Sequence, residues 1–106
     1  MQHVRIAVYR LVPGSSAEEV LSKAQAGMLP IFRSEPGFVG YGVVTVDEDT
    51  LISLSIWNSP EEAEAAVEFA ASWVKENITQ LIQTVQNYVG SLSFFVSEAP
   101  IAARTL

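Results

Sequence analysis

A two-residue period opens the chain. Between about residues 3 and 12, Val4, Ile6 and Val8 fall on one face while Ala7, Tyr9 and Leu11 fall on the other. Both faces are mostly apolar, which predicts a strand covered on both sides. "PGSS" then breaks the strand and the period changes. Val20, Leu21, Ala24, Met28 and Ile31 line one stripe of a first helix. Ser15 or Ser16 is placed to cap it, with Glu18 or Glu19 closing a capping box. Pro30 should bend this helix or make its last turn irregular.

"EPGF" follows. Pro36 keeps Glu35 out of the helical region, and Gly37 suits the positive φ of a type II turn. "FVGYGVVTV", the polar turn "DEDT" and "LISLSIW" predict a hairpin. Gly40 and Gly42 share a face of its first strand. Their missing side chains leave room for a ligand or for a helix side chain such as Trp73.

A second helix starts at "NSPEE", with Asn58 or Ser59 as cap, Pro60 in the first turn and Glu61 and Glu62 at the positive end of the dipole. The stripe Ala63, Val67, Ala70, Val74, Ile78, Leu81, Val85 carries it to about Tyr88, and Gly90 ends it. "SLSFFVS" is then the fourth strand, and residues 98–106 a tail that could reach across a dimer or fray. The result is one domain over 1–106 with the order β-α-β-β-α-β. That is a ferredoxin-like α+β fold with a four-stranded antiparallel sheet. Two helices on one face leave the other sheet face bare. Since that face is apolar or small-residued, it predicts a homodimer formed sheet to sheet.

Composition narrows the partners. The chain has 106 residues, 49% of them apolar, and a formal charge of −6. The acidic balance and the lack of a basic patch point away from nucleic acid and from anionic membrane surfaces. No stretch approaches the roughly 20 apolar residues of a membrane span, and the strand-like N-terminus does not read as a leader. A soluble cytoplasmic protein is expected. Without cysteine there is no disulfide, thiolate metal site or Cys nucleophile. Asp47, Glu48 and Asp49 lack the alternating spacing of a calcium loop, and a lone histidine makes no multi-His site. No metal is expected.

"EPGFVGYGVVTV", "LISLSIWNSPEEAEAA" and the first-strand ending "VPG" resemble the antibiotic biosynthesis monooxygenase family over roughly residues 4–96. The shared marks are the Pro-Gly, Tyr41 four residues after it, and Trp57 before an acidic helix start. The resemblance implies a dimeric α+β barrel. It also implies, as in some relatives, oxidation of quinols or polycyclic phenols by O₂ without a cofactor. Many members carry a His nine residues after the Trp; here that position is Ala66. A heme-degrading branch uses an Asn, a Trp and a His. The matching positions are Ala7, Trp73 and Gln83, so two of the three differ.

The candidates for chemistry are few. Trp73 and, one turn on, Asn77 share a flank of the second helix, with Ala66 and Thr84 near the same line. An indole N–H and an amide there could orient a small aromatic ligand, or Trp73 packs and Asn77 is solvated. Tyr9 and Tyr41 offer hydroxyls to a bound carbonyl, Arg10 a charge for a ligand anion, and His3 the one imidazole for a general base. Two functions follow. One is a cofactor-independent monooxygenase acting on a small quinol or polycyclic phenol. The other is a non-catalytic dimeric ligand-binding or interaction module on the same scaffold.

Overall fold

The structure is a computed structural model that describes residues 1–98. Residues 99–106, the rest of the tail expected to reach across a dimer or fray, lie outside the described residues. Four strands form one antiparallel sheet in the order β2-β3-β1-β4: β1 His3–Leu11, β2 Phe38–Thr45, β3 Thr50–Trp57 and β4 Ile82–Ser91. The helices pack on one face. The first is a composite of α1 Ala17–Lys23, a π-helical turn Ala24–Met28 and α2 Leu29–Ser34; the second is α3 Pro60–Asn77. This is the ferredoxin-like α+β arrangement. Among the described residues no helix is long and apolar enough to cross a membrane.

Local chemistry sets the helix starts. Ser16 Oγ accepts from the Glu19 N–H at 3.3 Å, and Ser59 Oγ accepts from the Glu62 N–H at 3.2 Å. Pro60 then sits where no N–H is needed. Gly37 has φ +82°, which is why this turn needs glycine; a Cβ there would also displace the Glu62 carboxylate. In a regular α-helix the residue at 30 would donate to the Ala26 carbonyl; proline has no such donor. The irregularity expected from Pro30 takes the form of the wide turn at Ala24–Met28 just before it.

Sheet parity divides the faces. Arg5, Ala7, Tyr9 and Leu11 of β1, with Leu51, Ser53, Ser55 and Trp57 of β3, are buried beneath the helices. Val4, Ile6, Val8, Ile52, Leu54 and Ile56 are half-buried on the other face, which no helix covers.

Three expectations need correction. The second helix stops at Asn77, not near Tyr88. Ile78 leaves helical geometry at φ −137°, and the Asn77 side chain turns back to donate to the Trp73 carbonyl at 2.9 Å. Thr79, Gln80 and Leu81 turn the chain, and "IQTVQNYVGS" is the fourth strand. Its β-branched residues and alternate polar positions favour extended pairing with β1 over continuing the helical stripe. Val85 is therefore exposed rather than core. "SLSFFVS" is irregular beyond Ser91, with Phe94, Phe95 and Val96 exposed. Finally, Gly40 and Gly42 lie opposite Ile56 and Leu54, and their missing side chains face open space, not Trp73.

Candidate functional site

The core between sheet and helices is not uniformly apolar. Arg5 sits in it at 1% exposure. Its Nη2 donates to the Tyr9 hydroxyl at 3.0 Å and its Nη1 to Ser53 Oγ at 3.2 Å. The guanidinium also lies 5.5 Å from the centroid of the Phe32 ring, a cation–π contact worth about 2 kcal/mol or more where water is excluded. Among the described residues no carboxylate pairs with it, and its Nε has no hydrogen-bond partner. Burying such a charge costs several kcal/mol, which two hydroxyls and a ring offset only in part. Burial pushes the guanidinium pKa down, against the opposing pull of Tyr9 and Tyr41.

Hydrogen-bond direction follows from this placement. A guanidinium only donates. The Tyr9 and Ser53 oxygens accept from it, so each hydroxyl proton is turned away from Arg5. Burial raises the Tyr9 pKa, with Arg5 opposing. Burial also raises that of Tyr41, opposed by Arg5 and by a hydrogen bond with Ser53. Both phenols stay neutral near pH 7, as donors rather than bases.

Beside this cluster lies a narrow cavity of about 30 Å³, room for water but not for a ring. Tyr9, Tyr41 and Ser53 wall it on the sheet side; Leu21, Ala24 and Met28 wall it on the first-helix side. Trp73 closes it from α3. The indole packs against Gly27, where a Cβ would come within 2.7 Å of Nε1. A surface groove of about 320 Å³ shares Leu21, Ala24, Tyr41 and Val43 with the cavity, so a single layer of side chains separates the two.

Of the sequence candidates, Tyr9, Tyr41 and Trp73 meet here. Asn77 does not: it is exposed and bonded to its own helix. His3 lies outside the cavity wall, with Nδ1 3.3 Å from the Met1 carbonyl and Nε2 3.4 Å from Ser91 Oγ. Arg10 is exposed and lines a groove with Glu48 and Asp49 at the hairpin end. Thr84 and Gln83 belong to β4, so neither continues the α3 flank. Ala66 is buried on α3. Trp57 packs in an aromatic cluster with Phe32 and Phe38 at 5.4 and 5.5 Å, and its Nε1 donates to Ser55 Oγ at 2.8 Å. The residues that sequence reasoning missed are Arg5 and Ser53. The available signal was parity: a charge in step with Ala7 and Tyr9, and serines in step with Leu51 and Trp57.

Sheet order and helices on one face define the class, a ferredoxin-like α+β protein, here with a small interior cavity between sheet and helices. The chain belongs to the antibiotic biosynthesis monooxygenase family, whose sequence model matches residues 2–71. Among solved structures it is similar to SnoaB, a cofactor-independent oxygenase from Streptomyces nogalater. The TM-score is 0.69 and the identity 13%, over 92% of this chain and 98% of that one. It is also similar to a NIPSNAP-like domain protein from Burkholderia xenovorans, with TM-score 0.62 and 20% identity over 93% and 92%. At these identities the likeness is one of fold. A search of curated proteins finds no match.

Proposed function

We propose that this chain binds a small quinol or polycyclic phenol between its sheet and helices and oxidises it with O₂, without metal or flavin. The observation that carries the reading is the cavity where Tyr9, Tyr41, Ser53 and Trp73 converge beneath an apolar helix wall. A flat aromatic ligand suits such a wall, and the hydroxyls suit its oxygens. Ring-sized ligands need more than the present free volume. The wide turn at Ala24–Met28 is the wall that yields, merging the cavity with the neighbouring groove. The similarity to SnoaB supports oxygenase chemistry. For an anthrone, the methylene loses two hydrogens and gains one oxygen atom from O₂, while the other oxygen leaves as water.

The working unit in this reading is a homodimer joined through the bare sheet face of Val4, Ile6, Leu54 and Ile56. One observation favours the alternative of a non-catalytic ligand-binding module: the cavity wall contains no side chain that is a base near pH 7. Oxygen uptake with a panel of hydroquinones and anthrones decides between them. Uptake above the protein-free rate is expected for at least one member. Saturable binding with no uptake across the panel would leave the binding module, and neither binding nor uptake would end both readings.

A further inference from the structure

The missing base and the buried charge belong together. Arg5 is a permanent cation in the core, without a carboxylate partner among the described residues and with an unbonded Nε. The groups that face it are Tyr9 on its own strand, Tyr41 on β2, Ser53 on β3 and the Phe32 ring on α2. From α3, packed across β1, Ala63, Ala66, Ala70, Trp73 and Val74 turn inward, none of which titrates, and Glu62 in its first turn has a buried carboxylate oxygen that does not pair with Arg5. Nothing on the protein side neutralises the charge. The two hydroxyls it bonds, on Tyr9 and Ser53, are in the cavity wall: the Tyr9 proton is directed away from Arg5, and Ser53 is hydrogen-bonded to Tyr41, whose own hydroxyl is in the same wall. Arg5 itself stands one layer behind that wall.

We infer that Arg5, acting through Tyr9 and Ser53, makes the cavity a phenolate site, which takes an aromatic hydroxyl ligand in its ionised form. The ligand O–H bond breaks on binding and the proton leaves to solvent water. The electron pair stays on the ligand oxygen, which accepts from the wall hydroxyls. Oriented donors backed by a fixed charge favour an oxyanion most where water is excluded. The site then needs no side-chain base to generate an electron-rich anion. In this role Arg5 is a positioning residue: it touches the donors, not the ligand. The inference rests on the binding reading above and adds to it the charge state of the ligand.

The test uses 4-nitrophenol, whose phenolate absorbs visibly, and nitrobenzene as its neutral counterpart. Each is titrated into the full chain, and the ionisation midpoint of the bound phenol is read by absorbance against pH. The expected midpoint lies below that of the free phenol by about one pH unit, the low end of the shift that a directly adjacent guanidinium causes, because Arg5 acts through one layer of hydroxyls. In Arg5→Met the midpoint should return to the free value or rise above it, and the preference for 4-nitrophenol over nitrobenzene should fall at least tenfold. If Arg5→Met does not fold by circular dichroism, Tyr9→Phe carries the test with a smaller shift in the same direction. A wild-type midpoint equal to or above the free value, with nitrobenzene still bound, overturns the inference and leaves the binding reading standing. So does a lowered midpoint that neither variant changes. Binding of neither molecule overturns both.

Discussion

Trp73 is held by the absence of one side chain. At Gly27 a Cβ would stand 2.7 to 2.9 Å from three atoms of the indole. A ring cannot yield at three atoms without turning, and the cavity that Trp73 lines adjoins it. Gly27→Ala is expected to swing the indole into that space. Overpacking costs about 1–3 kcal/mol and the better helix propensity of alanine returns about 1 kcal/mol. A net loss of at most about 2 kcal/mol should appear in urea unfolding, together with a changed tryptophan emission and weaker ligand binding. Tyr9 supports a pH prediction. Its folded pKa lies above its ordinary value because of burial. Above about pH 10 the unfolded chain releases this proton while the folded chain keeps it, so stability declines as pH rises through that range. Arg5, shifted the other way, acts in the opposite sense nearer its own pKa. Urea midpoints measured from pH 8 to about 11 should fall less steeply for Tyr9→Phe than for the wild type. Tyr9, Tyr41 and Trp73 were legible as candidates because aromatic residues with polar ends announce themselves one at a time. Arg5 and Ser53 were not. Their meaning depends on β1 pairing with β3, where Arg5 faces Ser55 and Ala7 faces Ser53, and on helices that cover that side of both strands.

Elements with chemical punctuation were readable in advance. Ser15 or Ser16, Asn58 or Ser59, Pro60 and Gly37 mark starts and turns, and of the alternatives the structure uses Ser16 and Ser59 as caps. The end of α3 carries no such mark. "NITQLIQTVQNYV" fits a helical stripe through Ile78, Leu81 and Val85, and it equally fits alternation through Ile82, Thr84 and Gln86. Only the open edge of β1, waiting for a partner, decides for the strand. The first helix shows the reverse case. Pro30 marks a disturbance, and the form it takes, a π turn whose Ala24 and Met28 wall the cavity, depends on packing. Restoring the donor with Pro30→Ala should tighten that turn toward regular α geometry. Amide exchange at Ala24–Met28 is then expected to slow, and ligand association with it; unchanged exchange would detach the wide turn from the proline.

At the scale of the molecule the two sheet faces have different roles. One holds a buried cation and a cavity beneath helices; the other is bare and apolar. Two copies meeting there would hide Ile6 and Leu54, which lie directly opposite each other on neighbouring strands. Light scattering is expected to give twice the 11.5 kDa of one chain, and Leu54→Asp the mass of a single chain, since a carboxylate at the centre of that contact would be buried unpaired. The account's central claim is that a phenolic ligand enters between sheet and helices. It is tested most directly by mapping amide and indole chemical shifts while titrating the protein with an anthrone. The predicted result is saturable shifts at Tyr9, Tyr41, Ser53, Ala24 and the Trp73 indole. Shifts confined to the bare face around Ile6, Leu54 and Ile56, or no saturable shift at all, would contradict it.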